Sequence, residues 1–135
     1  MKDTGLMVDF VKTVAAGTLR LEIDDPQDRY LRTRTGRIHG WFAASDIDIP
    51  ETYSFEAGSV LIPHRTVRRT DVEEVMPGYA ISGFVIPYDL AEYLPYIDGR
   101  FWMVRLVLPE YRPKLLKFTI AESALGSCLA EASYI

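Results

Sequence analysis

A chain of 135 residues that is 48% apolar is long enough to bury one ordinary hydrophobic core without covalent staples. Its 15 basic and 19 acidic residues leave a formal net charge of -4, which argues against a nucleic-acid binder that works by neutralising many phosphates. The single Cys128 excludes an intramolecular disulfide and any multi-cysteine metal site, and is compatible with a reduced, cytoplasmic setting.

At the N-terminus Leu6, Phe10 and Val14 recur every four residues with Met7 and Val11 beside them. Residues 4 to 15 therefore read as a short amphipathic helix, and residues 1 to 17 as a helical extension ended by Gly17. Its functional use would be a homodimer contact. Asp9 and Lys12 interrupt the apolar run well before it reaches the length of a membrane span or a secretory core, so neither is expected.

From Thr18 the period changes to two. Leu19, Leu21 and Ile23 alternate with Thr18, Arg20 and Glu22, the pattern of a strand with one wet face, and Asp24-Asp25-Pro26 ends it. Residues 26 to 35 carry Arg29, Arg32 and Arg34 without an apolar face and read as a loop. In the next strand, Arg37 to Ala43, Ile38, Gly40 and Phe42 share one face while His39, Trp41 and Ala43 share the other. Both faces hold a large aromatic, so periodicity alone does not choose the inner one. Gly40 marks a close approach of another backbone or side chain. After a polar loop from Ser45 to Pro50, Tyr53 to Glu56 and Ser59 to Pro63 flank Ala57-Gly58 as a hairpin.

The stretch from Arg65 to Leu90 comes next. Asp71 followed three residues later by Glu74 has the form of a capping box, which predicts one short helical turn with Asp71 as its cap. Pro77-Gly78 stops that turn, and Ser82-Gly83-Phe84-Val85-Ile86 restarts the chain as an apolar strand. Asp89 to Leu94 can form a second turn ended by Pro95, and Asp98-Gly99 is a hairpin signal. Phe101 to Leu108 is the longest strand candidate, with Trp102, Val104, Leu106 and Leu108 inward, and only Arg105 breaks its other face. Lys114 to Ala121 alternates again, with Leu116, Phe118 and Ile120 on one face. Residues 122 to 135 are weakly patterned and read as a tail or linker.

Six to eight short strands joined by turns predict an all-β fold over residues 18 to 121. The expected form is an antiparallel two-sheet β-sandwich, immunoglobulin-like or jelly-roll-like, with one or two short helical turns. A closed barrel is the architectural alternative.

The candidate chemistry is sparse. Only His39 and His64 are available as imidazole bases, no Gly-x-Ser-x-Gly elbow is present, and no activity is expected. The two histidines lack metal-ligand spacing, and Asp46, Asp48 and Glu51 lack the glycine and regular spacing of a calcium loop, so neither a metal nor a cofactor is expected. Two arginine clusters stand out. Arg32 and Arg34 lie beside Arg29 and Arg37, and Arg65 and Arg68 beside Arg69. Brought together they would suit a phosphate, a sulfate or a carboxylated sugar, whereas internal pairing would join Arg69 to Asp71 or to Asp24, Asp25 or Asp28. For ring stacking on a glycan, Trp41, Tyr88, Tyr93 and Tyr96 are the candidates, with His39 and Arg69 as polar neighbours. Trp102 and Phe84 read as core.

The order Leu21-x-Ile23-Asp24-x-Pro26, Gly36-x-Ile38-x-Gly40-Trp41, Arg69-x-Asp71-Val72, Pro77, Ser82-Gly83-Phe84 and Asp89-Leu90 resembles a small immunoglobulin-like β-sandwich module. Such modules accompany bacterial glycosyltransferases and class I methyltransferases as a non-catalytic segment. The likeness spans residues 19 to 121 and departs from the pattern between Ile47 and Gly58. It implies a fold and a setting beside a transferase, and no activity of the module itself. Two readings follow. One is a non-catalytic accessory module that binds a carbohydrate or positions an attached transferase, which calls for solvent-exposed rings. The other is a structural interaction or dimerisation domain, which calls for an exposed apolar patch.

Overall fold

Leu21 and Ile23, Ile38 and Phe42, Phe84 and Ile86, Trp102, Val104 and Leu106, and Leu116, Phe118 and Ile120 recur with period two, and all of them enter one core. The computed structural model describes residues 19–45, 53–109 and 111–132. The helix expected over residues 4 to 15 and the acidic loop with Asp46, Asp48 and Glu51 lie outside them.

In chain order the strands are β1 (Arg20–Asp25), β2 (Tyr30–Leu31), β3 (Thr35–Ser45), β4 (Ser54–Ala57), β5 (Val60–Ile62) and β6 (Arg65–Val67). Helix α1 (Thr70–Val75), β7 (Tyr79–Asp89), a 3-10 helix (Leu90–Tyr96), β8 (Ile97–Asp98), β9 (Phe101–Val107), β10 (Lys114–Ile120) and α2 (Glu122–Ala132) follow. One sheet has the order β1-β3-β7-β6; the other has the order β2-β10-β9-β4-β5, with β8 also paired to β9. All pairings are antiparallel except the short parallel one between β2 and β10. The two inner faces meet as a sandwich, as the alternation predicts.

Trp102, Phe42, Phe55, Phe84 and Phe118 are the largest fully buried side chains. Each such ring contributes about 1.5–3 kcal/mol through burial alone. Gly40 lies opposite Ile23 on one flank and Phe84 on the other. A Cβ there would come within 2.5 Å of the Glu22 carbonyl and 2.7 Å of Phe84 Cζ, so the glycine makes room for both.

The opposite face of β3 is covered as well. Trp41 and Ala43 pack with Val72 of α1, and Met76 and Ile81 close this second, smaller cluster. Burial on both faces is why alternation did not select an inner one.

Three expectations need correction. The stretch read as a loop from 26 to 35 contains β2, whose ladder with β10 has Ala121 N–H donating to the Leu31 carbonyl at 2.9 Å. Two residues are too few to show a period. The expected tail contains α2, which places Ala124 and Cys128 in the core and touches the 3-10 helix. Lastly, Asp71 does not cap α1. The cap position is Arg69, with no side-chain cap bond, and Asp71 lies inside the first turn. Asp71 faces Arg69 instead, at 2.9 Å for both guanidinium contacts.

Candidate binding site beside the end of strand β7

The ladder between β6 and β7 covers three pairs, Arg65 with Val85, Thr66 with Phe84 and Val67 with Gly83. Continuing that register would set Pro63 against Pro87. Neither proline has an N–H to donate, so the ladder ends there. β7 nevertheless runs on to Asp89, held by β3 on its other flank. A shallow concavity of about 470 Å³ lies where the sheet stops short. Thr35, Gly36 and Arg37 of β3 line one side, with Pro87, Tyr88 and Asp89 of β7. Pro63 closes the edge, and Glu92 and Tyr93 come from the 3-10 helix.

Asp89 sets the position of that helix. Its carboxylate accepts from Ala91 N at 3.0 Å as the N-cap and takes two hydrogen bonds from Arg34, at 3.1 and 3.2 Å. Hydrogen bonding to Arg34 holds the Asp89 carboxyl below the usual carboxylate range. The first turn of the helix is thereby tied to the chain just before β3.

Tyr93 is 4% exposed, and its ring centroid lies 4.9 Å from that of Trp102. Its hydroxyl makes no hydrogen bond among the described residues. Burial, and then the neighbouring Glu92 charge, raise its pKa, so it remains a donor through the neutral range. The Tyr88 hydroxyl has only a long 3.4 Å bond to the Thr33 carbonyl, and burial raises its pKa too. Gly36 permits this placement, since a Cβ there would stand 2.8 Å from the Tyr88 hydroxyl. Arg37 and Glu92 are exposed, and neither makes an ion pair among the described residues. The concavity thus gathers a cation and a carboxylate without an ion pair among the described residues and a tyrosine hydroxyl without a hydrogen bond among them, with two prolines as apolar flanks.

Of the residues expected from sequence to bind ligand, Tyr88 and Tyr93 line this concavity and the others do not. The expected stacking platform is not formed. Trp41 and Tyr88 are 8% exposed and Tyr93 is 4%, because α1 covers the first and the core takes in the other two. Tyr96 packs over the Gly58 turn of the β4–β5 hairpin, where a Cβ on the glycine would collide with its ring. His39 lies half-buried on the outer side of β3, opposite Val85. Arg69 crosses the outer face of the same sheet from the β6 side and pairs with Asp24 of β1 as well as with Asp71. Its hydrogen bonds pull the Asp71 pKa down to about 2.

The expected anion site from Arg32, Arg34, Arg65 and Arg68 is not assembled. Arg32 pairs with Asp28 at 2.7 Å, Arg34 with Asp89, and Arg68 with Glu73 at 3.2 Å, while Arg65 stands exposed on edge strand β6. Internal pairing takes up Arg32, Arg34, Arg68 and Arg69, the last with Asp24 and Asp71. Arg37 was in view only as a member of the first cluster. Glu92, Thr35 and the two prolines were missed, although the equal distance of Pro63 and Pro87 from the Arg65–Val85 pair becomes readable once the strand register is known.

Among the described residues no group of three His, Cys, Asp or Glu side chains is placed to hold a metal ion. No described helix is long and apolar enough to cross a membrane. Comparison with family models, curated proteins and solved structures finds no match, and nothing in it links the chain to glycosyltransferases or methyltransferases.

Proposed function

We propose that this chain is a non-catalytic binding module that holds a carbohydrate in the concavity beside the end of β7. The observation that carries the reading is the concavity beside the end of β7, lined by Tyr93, whose hydroxyl has no hydrogen-bond partner among the described residues, and by Arg37 and Glu92, which make no ion pair among them. A hydroxyl and two charged side chains with no partner among the described residues are free to hydrogen-bond an incoming ligand without breaking an internal bond. The ligand is gripped by hydrogen bonds at its edges, not by stacking on an open ring, and the Pro63 and Pro87 rings offer apolar contact to a pyranose flank. A role beside a transferase rests on the motif resemblance alone. Amide chemical shifts recorded against a panel of neutral and acidic oligosaccharides test the reading. Shifts confined to residues 34–37 and 88–93 are expected, and a panel that moves no amide in those segments refutes it.

A second reading, a protein-interaction domain, is favoured by the outer face of the larger sheet. In register, Leu61, Glu56, Arg105 and Leu115 form one row across four strands. The two leucines are 65% and 53% exposed, on either side of the Glu56–Arg105 pair at 3.0 Å. Mass by light scattering that rises with concentration, and that Leu115→Glu abolishes, would support this reading.

A further inference from the structure

We infer that the carbohydrate held in the concavity is an acidic one whose carboxylate is taken by Arg37. This rests on the carbohydrate reading above and narrows it to a ligand class. Asp89 is already engaged by Arg34 and by its own helix cap, so its charge is locally offset. Among the described residues, the charged groups left without an ion pair along the concavity are Arg37 and Glu92. A guanidinium presents two parallel N–H groups that match a carboxylate. One guanidinium also balances the single charge of a carboxylate, whereas the second charge of a phosphate monoester would be left facing Glu92. Glu92, an acceptor only, takes sugar hydroxyls and repels a further anion. The Tyr93 hydroxyl, on the same lining, supplies a donor. A uronic-acid unit, with one carboxylate and several hydroxyls, satisfies all three groups at once. A peptide carboxylate would satisfy Arg37 too, but Pro63 and Pro87 deny a peptide the ladder it would need along β7.

The test is a titration of the full chain with a galacturonic acid trimer and, separately, with its neutral galactose counterpart. Binding is followed by amide shifts and by emission of Trp102, which packs against Tyr93. The acidic trimer is expected to bind about ten-fold tighter or more. Arg37→Gln should bring it down to the neutral value, and Tyr93→Phe should weaken both sugars. If both bind equally and Tyr93→Phe weakens both, the carbohydrate reading stands and the acidic inference is overturned. Acid preference that persists in Arg37→Gln overturns the assignment of Arg37. If neither sugar moves an amide at millimolar concentration, the carbohydrate reading fails and the inference with it.

Discussion

Replacing Gly83 by alanine tests how the outer face of the smaller sheet is held. A Cβ at position 83 would land on Arg69 Cγ and 2.6 Å from the Val67 carbonyl oxygen. Neither obstacle moves freely. Arg69 is tied at its far end to carboxylates from β1 and α1, and Val67 belongs to the β6 ladder. Overpacking of this kind costs about 1–3 kcal/mol, and about 2 kcal/mol is expected here. With a urea slope near ~2 kcal/mol/M for a chain of this size, the unfolding midpoint should fall by roughly 1 M. Arg69→Ala alone should cost about 1 kcal/mol or less, because Asp24 and Asp71 regain water when the guanidinium leaves. It also removes one of the two obstacles. The double variant should therefore be more stable than the sum of the single losses predicts, by about 1 kcal/mol. Strictly additive losses, or an unmoved midpoint for Gly83→Ala, would refute the crossing arginine as the reason for the glycine.

Two further outcomes are expected. Phe42→Ala should cost about 3–5 kcal/mol in the same denaturation assay, since the ring is fully buried and packs edge-on to Tyr53 at 4.9 Å. A loss below about 1 kcal/mol would mean that the core closes over the gap. Burial lowers the pKa of His64, which is wedged against Tyr53 and Phe55. The unfolded chain therefore binds a proton that the folded chain resists, and stability should fall as pH drops below about 6.5 until the folded-state pKa is passed. His64→Phe should flatten that part of the urea midpoint profile, and an unchanged slope would exclude His64 as its source.

The sandwich was legible because its longer strands, β1, β3, β7, β9 and β10, run for six or more residues, enough to resolve a period of two. What stayed illegible was set by context of another kind. β2 has two residues, and α2 shows only a weak apolar side, so neither carries a period. Asp71 and Glu74 matched a local cap pattern, but Arg69 lies two residues away and competes for the same carboxylate with a stronger, charged partner. Tyr88 stands just before the 3-10 helix and Tyr93 within it. Their burial was not readable, because it depends on Trp102, which arrives from β9 on the other sheet. The concavity itself is a product of register, and register between β6 and β7 is invisible until both strands are placed.

The paired prolines that end the β6 ladder also bear on what this protein does at high concentration. A strand flank without a neighbour is a template on which a second molecule can add, and runs of such contacts grow into fibrils. Along the last residues of β7 that template is interrupted by Pro87, and the chain then turns away into the 3-10 helix. The same missing donor that leaves room for a ligand therefore guards the open flank against sheet-to-sheet polymerisation.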